Sequence, residues 1–252
     1  CQAAKGYQVL ELGLRRSQGA DGGLSASRAS FIGGCSATSN LLAGKLYSIP
    51  VRGTHAHSWV MMFPTEDEAF KAYSETYPDQ CLLLVDTYST LEGVKKAVTV
   101  GKELRKKGRD LAGIRIDSGD LVFLSQEARK ILDTEGFHNT KIVASNELDE
   151  YLIRDMKQQG AAVDIWGVGT RLVTAHGTSA LDGVYKLASV KKKGSSVWEP
   201  RIKISEQLAK VSTPGNLQIR RFYEGGKYRA DMIYDMDHFK SGNPYRIIDP
   251  LD

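Results

Sequence analysis

Two imidazoles lie two residues apart in Gly53-Thr54-His55-Ala56-His57-Ser58, directly after a short apolar run that ends at Val51. Imidazole is the side chain whose unperturbed pKa makes it both a base and a nucleophile near neutrality. Further along, Arg115-Ile116-Asp117-Ser118-Gly119-Asp120 places a guanidinium, two carboxylates and a hydroxyl within six residues. Such carboxylates hydrogen-bond a ribose diol or hold Mg²⁺, directly or through water. The competing use of Asp117, Ser118 or Asp120 is to cap the following helix. Gly167-Val168-Gly169-Thr170 suits a phosphate, because glycines let backbone amides approach an anion and Thr adds a hydroxyl donor. Ser145 and Asn146 add neutral donors, and Arg15 and Arg16 offer bidentate contacts to phosphate or carboxylate.

These residues recur at one place in a repeated unit. Apolar runs at 48–52, 81–85, 112–116, 141–144 and 163–166 read as strands, and each is followed at once by polar residues. Amphipathic or capped segments at 65–77, 90–107, 121–134 and 148–159 read as the helices between them. Strand, polar loop, helix in succession is a parallel βα series, and active sites of such sheets lie at the carboxyl ends of the strands. Ahead of the series, 9–14 reads as a strand and 24–32 as a helix. Segment 41–46 reads as a further helix, with its N-cap in 36–40. After Thr170 the pattern changes. Segments 183–192, 201–204, 217–223 and 227–234 read as strands of a more exposed antiparallel layer. The expected division is an α/β barrel core over 9–181, itself partial, and a β-rich part over 182–252.

Composition narrows the class. The 252 residues carry 34 Lys+Arg against 30 Asp+Glu, a net charge of +4 that is too weak a basic footprint to argue for nucleic acid. No apolar run approaches a membrane span, so no membrane partner is expected. Cys1, Cys35 and Cys81 are few, odd in number and widely spaced, which fits a reducing, cytoplasmic compartment without a disulfide framework. Cys35, His55, His57 and His176 match no zinc spacing. His138, His176 and His238 are isolated, and Lys191 to Lys193 read as a solvated turn. The residues alone therefore indicate an α/β barrel enzyme that binds a phosphorylated, sugar-containing anion and carries a reactive imidazole. Phosphoryl or glycosyl transfer is the reaction class.

Taken in order, Glu11-Leu12-Gly13-Leu14-Arg15-Arg16, the Gly53 to Ser58 segment, Gly113 to Leu121, Ser145 to Glu150, Gly167 to Thr170 and Gly183 to Leu187 resemble the nicotinate phosphoribosyltransferases. Pro200 to Ser205 and Lys210 to Gly215 extend the resemblance. It implies the irregular, TIM-like α/β barrel of the type II phosphoribosyltransferases, with an added domain rich in β-structure. It implies nicotinate and phosphoribosyl pyrophosphate as substrates, nicotinate mononucleotide and pyrophosphate as products, and coupled hydrolysis of ATP with Mg²⁺, in NAD salvage. His57 resembles the histidine that ATP phosphorylates, since the family pattern is Gly-Thr-x-Ala-His. Arg115 and Asp117 resemble the Arg-x-Asp-Ser-Gly residues near base and ribose. Arg15 and Arg16 resemble the lining of the pyrophosphate and base pocket. Gly167, Gly169 and Thr170 would hold the 5′-phosphate with Ser145 and Asn146 nearby, and Thr38, Ser39, Asn40, Ser118 and Gly119 fall among the substrate-binding positions. The ligands of Mg²⁺ are left open. The resemblance also implies a homodimer with shared sites. The family's N-terminal segment, with an aromatic that stacks on the pyridine ring, has no counterpart here, so a fragment is expected. Two alternatives follow: a non-catalytic fragment that binds ligand or a partner chain, and a nicotinamide-specific relative.

Overall fold

The structure is a computed structural model and describes residues 1–180, 183–206 and 211–239. Two compact units divide the chain, Cys1–Ala180 and Leu181–Asp252. Leu181, next to the expected boundary, and Lys210 of the C-terminal motif lie outside the described residues.

The first unit is built on six parallel strands. These are β1 (Gln8–Glu11), β2 (Ala37–Thr38), β3 (Leu82–Leu84), β4 (Gly113–Ile116), β5 (Lys141–Asn146) and β6 (Ile165–Val168). Their order is β2-β1-β6-β5-β4-β3, and every pairing is parallel. The sheet curls into half a barrel. Alternation along each strand divides its side chains between two faces. Leu83, Ile114, Ile116, Ile142 and Trp166 are buried in the core shared with the helices. Leu10, Leu82, Arg115, Val143 and Ile165 line a cavity within the curl. One register rule thus sends the β4 isoleucines into the core and Arg115 inward.

Helices α1 (Gly19–Ile32), α2 (Leu41–Tyr47), α3 (His57–Met61), α4 (Glu66–Thr76), α5 (Thr90–Lys106), α6 (Leu121–Thr134), α7 (Glu150–Gln158) and α8 (Thr170–Val173) complete this unit. Side-chain oxygens start several of them: Asn40 accepts from Ala43 N, Thr65 from Glu68 N, Asp120 from Phe123 N, and Asp149 from Tyr151 N and Leu152 N. Each such cap is worth about 1 kcal/mol. α5 buries Val94, Ala97, Val98 and Leu104, and the larger of these contribute roughly 1.5–3 kcal/mol each. It packs so close that a Cβ on Gly93 would run into the Val85 carbonyl oxygen, and one on Gly101 would sit 2.6 Å from the Phe137 ring.

Three elements differ from the sequence reading for identifiable reasons. The strand expected at 48–52 shrinks to one bridge, Val51 to Thr38. Ser48 ends α2 in the left-handed region at φ 55°, and Pro50 has no N–H to give a ladder. The helix expected at 24–32 begins five residues earlier, with Asp21 in its first turn where the dipole favours acid. The strand expected at 163–166 runs over Ile165–Val168 instead, because Gly167 and Val168 pair with both β1 and β5. That shift places Gly167 inside the sheet.

In the second unit, β7 (Ser189–Val190) and β8 (Glu199–Pro200) form a short antiparallel pair. β9 (Leu217–Glu224) and β10 (Lys227–Asp235) form a hairpin. Gly225 and Gly226 turn it with φ of 56° and 76°, the positive pair that a tight two-residue hairpin turn requires. Arg221 braces the two strands by a bidentate pair with Asp231 at 2.9 Å. The antiparallel character matches the sequence reading. Only two residues of 183–192 are strand, and 201–204 is not strand at all.

Candidate active site at the strand ends

Arg115 is the best-held side chain at the top of the half-barrel. Its Nη2 donates to Asp117 Oδ1 at 2.7 Å, its Nε to Ser145 Oγ at 2.6 Å and its Nη1 to Thr54 Oγ1 at 3.0 Å. Ser145 Oγ in turn donates to Asp117 Oδ1 at 2.5 Å. β4, β5 and the His-bearing loop therefore meet at one guanidinium. Guanidinium has five N–H donors in a rigid fork, so these bonds fix its plane and leave donors for a ligand. Burial by itself would raise the Asp117 pKa. The Arg115 charge, hydrogen bonds from Ser145 and Arg115, and His57 outweigh burial and hold the carboxyl below its ordinary value.

A cleft opens beside this group. Arg15, Arg16, Arg115, Asp117, Ser145, Asn146, Glu147, Gly167, Gly169 and Thr170 all line it, with Leu12. Nine of the sequence-nominated residues thus come together. The arginine pair projects from a 3-10 turn, Leu14–Arg16, with both residues exposed. That turn is fixed from behind by Glu11, which is 1% exposed. The Glu11 carboxylate accepts from Gly13 N at 2.5 Å, Ser27 Oγ at 2.8 Å and Thr38 Oγ1 at 2.5 Å. Gly167 has a packing reason to lack a side chain: a Cβ there would press 2.6 Å from Leu12 Cδ1 and 3.1 Å from Ser145 Cβ, whereas one on Gly169 would make only ordinary contact with the Leu12 carbonyl oxygen at 3.4 Å.

His57 stands on the other side of Asp117. Its Nε2 lies 3.8 Å from Asp117 Oδ2 and 4.0 Å from Asp86 Oδ1, and its Nδ1 is bonded to Thr87 Oγ1 at 3.1 Å. Asp86 follows β3. Its Oδ2 accepts from Asp117 N at 2.9 Å and Ser118 Oγ at 2.6 Å. Its Oδ1 is buried without a hydrogen-bond partner among the described residues. A buried carboxylate oxygen in that state calls for a cation or a protonated imidazole.

Not all nominated residues face this space. Thr38 and Asn40 are buried at 1% and 3% exposure. Thr38 Oγ1 donates to Glu11, and Asn40 caps α2 and donates to Ser27 Oγ. Ser39 N binds the Glu11 carbonyl. Ser118 reaches the site through Asp86, and Gly119 supplies the left-handed turn, φ 80°, before Asp120 caps α6. Asp86, Thr87, Thr54 and Glu147, whose Oε1 accepts from Thr170 Oγ1 at 3.1 Å, were not nominated. Asp86 had the available signal, since it directly follows a fully apolar strand. Among the described residues, no group of three or more His, Cys, Asp or Glu could hold a metal ion through protein ligands alone. No described helix is long and apolar enough to cross a membrane, and all three cysteines are free.

Fold and site together define a class: a parallel α/β half-barrel with an arginine-lined cleft at its strand ends, beside an imidazole facing two carboxylates. The sequence profile of the nicotinate phosphoribosyltransferase (NAPRTase) family matches residues 7–225, and the chain belongs to that family. It is 46% identical over 227 residues to a nicotinate phosphoribosyltransferase of Bacillus subtilis (strain 168), covering 90% of this chain and 46% of that protein. It is 37% identical over 283 residues to one from Dictyostelium discoideum, covering 93% and 47%. The crystal structure of human nicotinic acid phosphoribosyltransferase superimposes with a TM-score of 0.72 at 28% identity, over 94% of this chain and 54% of that one. The chain thus spans about half the length of the curated relatives it matches.

Proposed function

We propose that the protein carrying this chain is a nicotinate phosphoribosyltransferase. It joins nicotinate to the phosphoribosyl group of phosphoribosyl pyrophosphate and couples the transfer to ATP hydrolysis through a phosphohistidine at His57. One observation carries the reading: Asp117 lies between the arginine-lined cleft and His57, so one carboxylate touches both halves of a coupled reaction.

In the glycosyl half, the pyridine nitrogen attacks C1′ of the ribose while the bond from C1′ to the pyrophosphate oxygen breaks. Negative charge grows on the leaving group, and Arg15 and Arg16 supply the fixed positive charge such a transition state needs. Arg115, immobilised by its three acceptors, orients the anionic substrate at little entropic cost when it binds. Asp117, kept ionised, faces the ribose diol and the positive charge developing at C1′. The 5′-phosphate is assigned to the side of the cleft formed by Gly167, Gly169 and Thr170, with Ser145 and Asn146 adjacent.

In the phosphoryl half, an imidazole nitrogen of His57 takes the γ-phosphoryl group of ATP, and ADP leaves. The group adds about two negative charges within reach of Asp86 and Asp117. That crowding is unfavourable unless a cation joins them. The unpartnered Asp86 Oδ1 and the free Asp117 Oδ2 are the hard oxygen donors such a cation takes. Mg²⁺ fits them, since it binds through one or two carboxylates plus phosphate oxygens rather than through an all-protein cage, and it would supply charge neutralisation there. The intact protein is further proposed to be a cytoplasmic homodimer.

The test is direct. Nicotinate mononucleotide formation is followed with and without ATP, and γ-labelled ATP is used to seek acid-labile, base-stable phosphate on the protein. His57→Ala is expected to lose the label and the ATP stimulation while keeping slow, ATP-independent transfer. Label that survives in His57→Ala refutes the assignment.

A further inference from the structure

His55 belongs to neither half of that mechanism, yet it holds an unusual position. The half-barrel has a seam between its edge strands. On one side of the seam, the segment from Val51 is tied to β2: Thr38 N donates to the Pro50 carbonyl and Arg52 N to the Thr38 carbonyl. On the other side, β3 uses one edge for β4, with Val85 N donating to the Arg115 carbonyl. Successive amides of a strand point to opposite edges, so Leu84 N–H points away from β4 and into the seam. Among the described residues, no backbone carbonyl meets it. It donates instead to Nε2 of His55, at 3.1 Å, in a buried bond.

The ring is well placed for this. His55 is 8% exposed, stands edge-on to Tyr73 with centroids 4.7 Å apart, and lies 6.0 Å from the Phe70 ring. Its Nδ1 approaches the Ala56 carbonyl at 3.4 Å. Only one tautomer satisfies both contacts: Nδ1 carries the proton and Nε2 accepts. Burial in this apolar setting, with Arg115 and His57 adding positive charge nearby, pushes the pKa down to about 4 although the Ala56 carbonyl acts the other way. The ring is therefore neutral at physiological pH, and Nε2 keeps its lone pair.

Two residues past His55, His57 must meet Asp86 and Thr87, which lie two and three residues past Leu84. The bond from Leu84 to His55 thus sets the lateral register between the two segments that make the phosphoryl site. We propose that His55 closes the barrel seam in place of a backbone ladder, and so acts as the positioning residue that aligns His57 with Asp86 and Thr87. This rests on the functional reading above only for its kinetic consequence; the seam itself is independent of it.

Two substitutions in the intact protein separate the possibilities. His55→Phe keeps a ring of similar shape against Tyr73 and Phe70 but removes the acceptor. His55→Gln can bring its Oε1 near the place of Nε2. The first readout is hydrogen–deuterium exchange at the Leu84 amide, which needs no activity. Faster exchange in His55→Phe, and protection returning in His55→Gln, are expected. The second is phosphorylation of His57 from γ-labelled ATP, expected to fall about 10²-fold in His55→Phe, the cost typical of a misplacement of about 1 Å. His55→Gln should recover most of it, and KM for nicotinate should change little in either variant. Wild-type exchange at Leu84 in His55→Phe overturns the proposal. So does equal loss in both folded variants, or in His55→Gln alone if His55→Phe does not fold. If the wild type takes no label at all, the functional reading fails while the exchange result still decides the seam.

Discussion

Asp86 and Asp117 are both tied to groups around His57, but they do different work. Asp117 shares Oδ1 between Arg115 and Ser145 and leaves Oδ2 toward His57. An amide there would set an N–H group or a neutral oxygen against Arg115 and remove the negative charge held between Arg115 and His57. Asp117→Asn is therefore expected to fold and to lose turnover by about 10²-fold or more, the usual cost of a positioned electrostatic group. Asp86 lies beside His57, and its hydrogen bonds come from Asp117 N and Ser118 Oγ rather than from Arg115. Asp86→Asn is expected to lower labelling of His57 while sparing the slow, ATP-independent transfer that Asp117→Asn should reduce. Measuring both rates in both variants checks the division of labour; identical defects would contradict it.

Helices matter to the site chiefly by what they leave free. Asp120 begins α6 by accepting from Phe123 N, so Asp117 and Ser118 are released from capping and can serve the site. Asp120→Ala is expected to cost about 1 kcal/mol of stability with kcat unchanged, checked by denaturant unfolding beside the activity assay. Gly93 is the more severe position, although it touches no candidate site residue. A methyl group there meets the backbone carbonyl of Val85, and α5 can make room only by shifting against β3, whose end carries Asp86. Gly93→Ala should destabilise by roughly 1–3 kcal/mol, as overpacking does, despite the better helix propensity of alanine. Because that shift reaches Asp86, it should also lower His57 labelling. A gain in unfolding stability in Gly93→Ala would show that α5 has more room than these contacts allow.

For the first unit as a whole, acid is the condition to watch. Folded His55 titrates near 4 against an ordinary 6.5, so the unfolded chain binds a proton that the folded one refuses between those values. Stability therefore rises with pH across that interval and falls as pH drops through it. The interval corresponds to an effect on the order of 3 kcal/mol. Asp117 acts in the same direction at lower pH: its folded pKa is depressed, so its contribution is complete above the ordinary carboxylate range and is lost as pH falls through the folded value. Unfolding midpoints measured from pH 7 to pH 4 should fall, and His55→Gln, which cannot be protonated, should fall less steeply.

The sequence alone determined the parallel βα series and the polar residues at its strand ends, because alternation, capping residues and turn residues are local properties of the chain. It nominated Arg115, Asp117, Ser145 and the arginine pair by their place after apolar runs, and His57 by the resemblance to the Gly-Thr-x-Ala-His pattern, and the structure brings those residues close together. Local pattern does not tell whether a side chain at a strand end turns toward the barrel or back into its own scaffold. Thr38 and Asn40 have the polarity of ligands, yet they serve Glu11, Ser27 and the start of α2. Pro50 and Ser48 cut the expected strand to a single bridge, and the gap that results is what His55 fills. Which of two neighbouring histidines faces carboxylates and which accepts a backbone amide was decided only by tertiary structure. The partners that distinguish them, Asp86 and Leu84, are brought to them by the curl of the sheet across some thirty residues of chain.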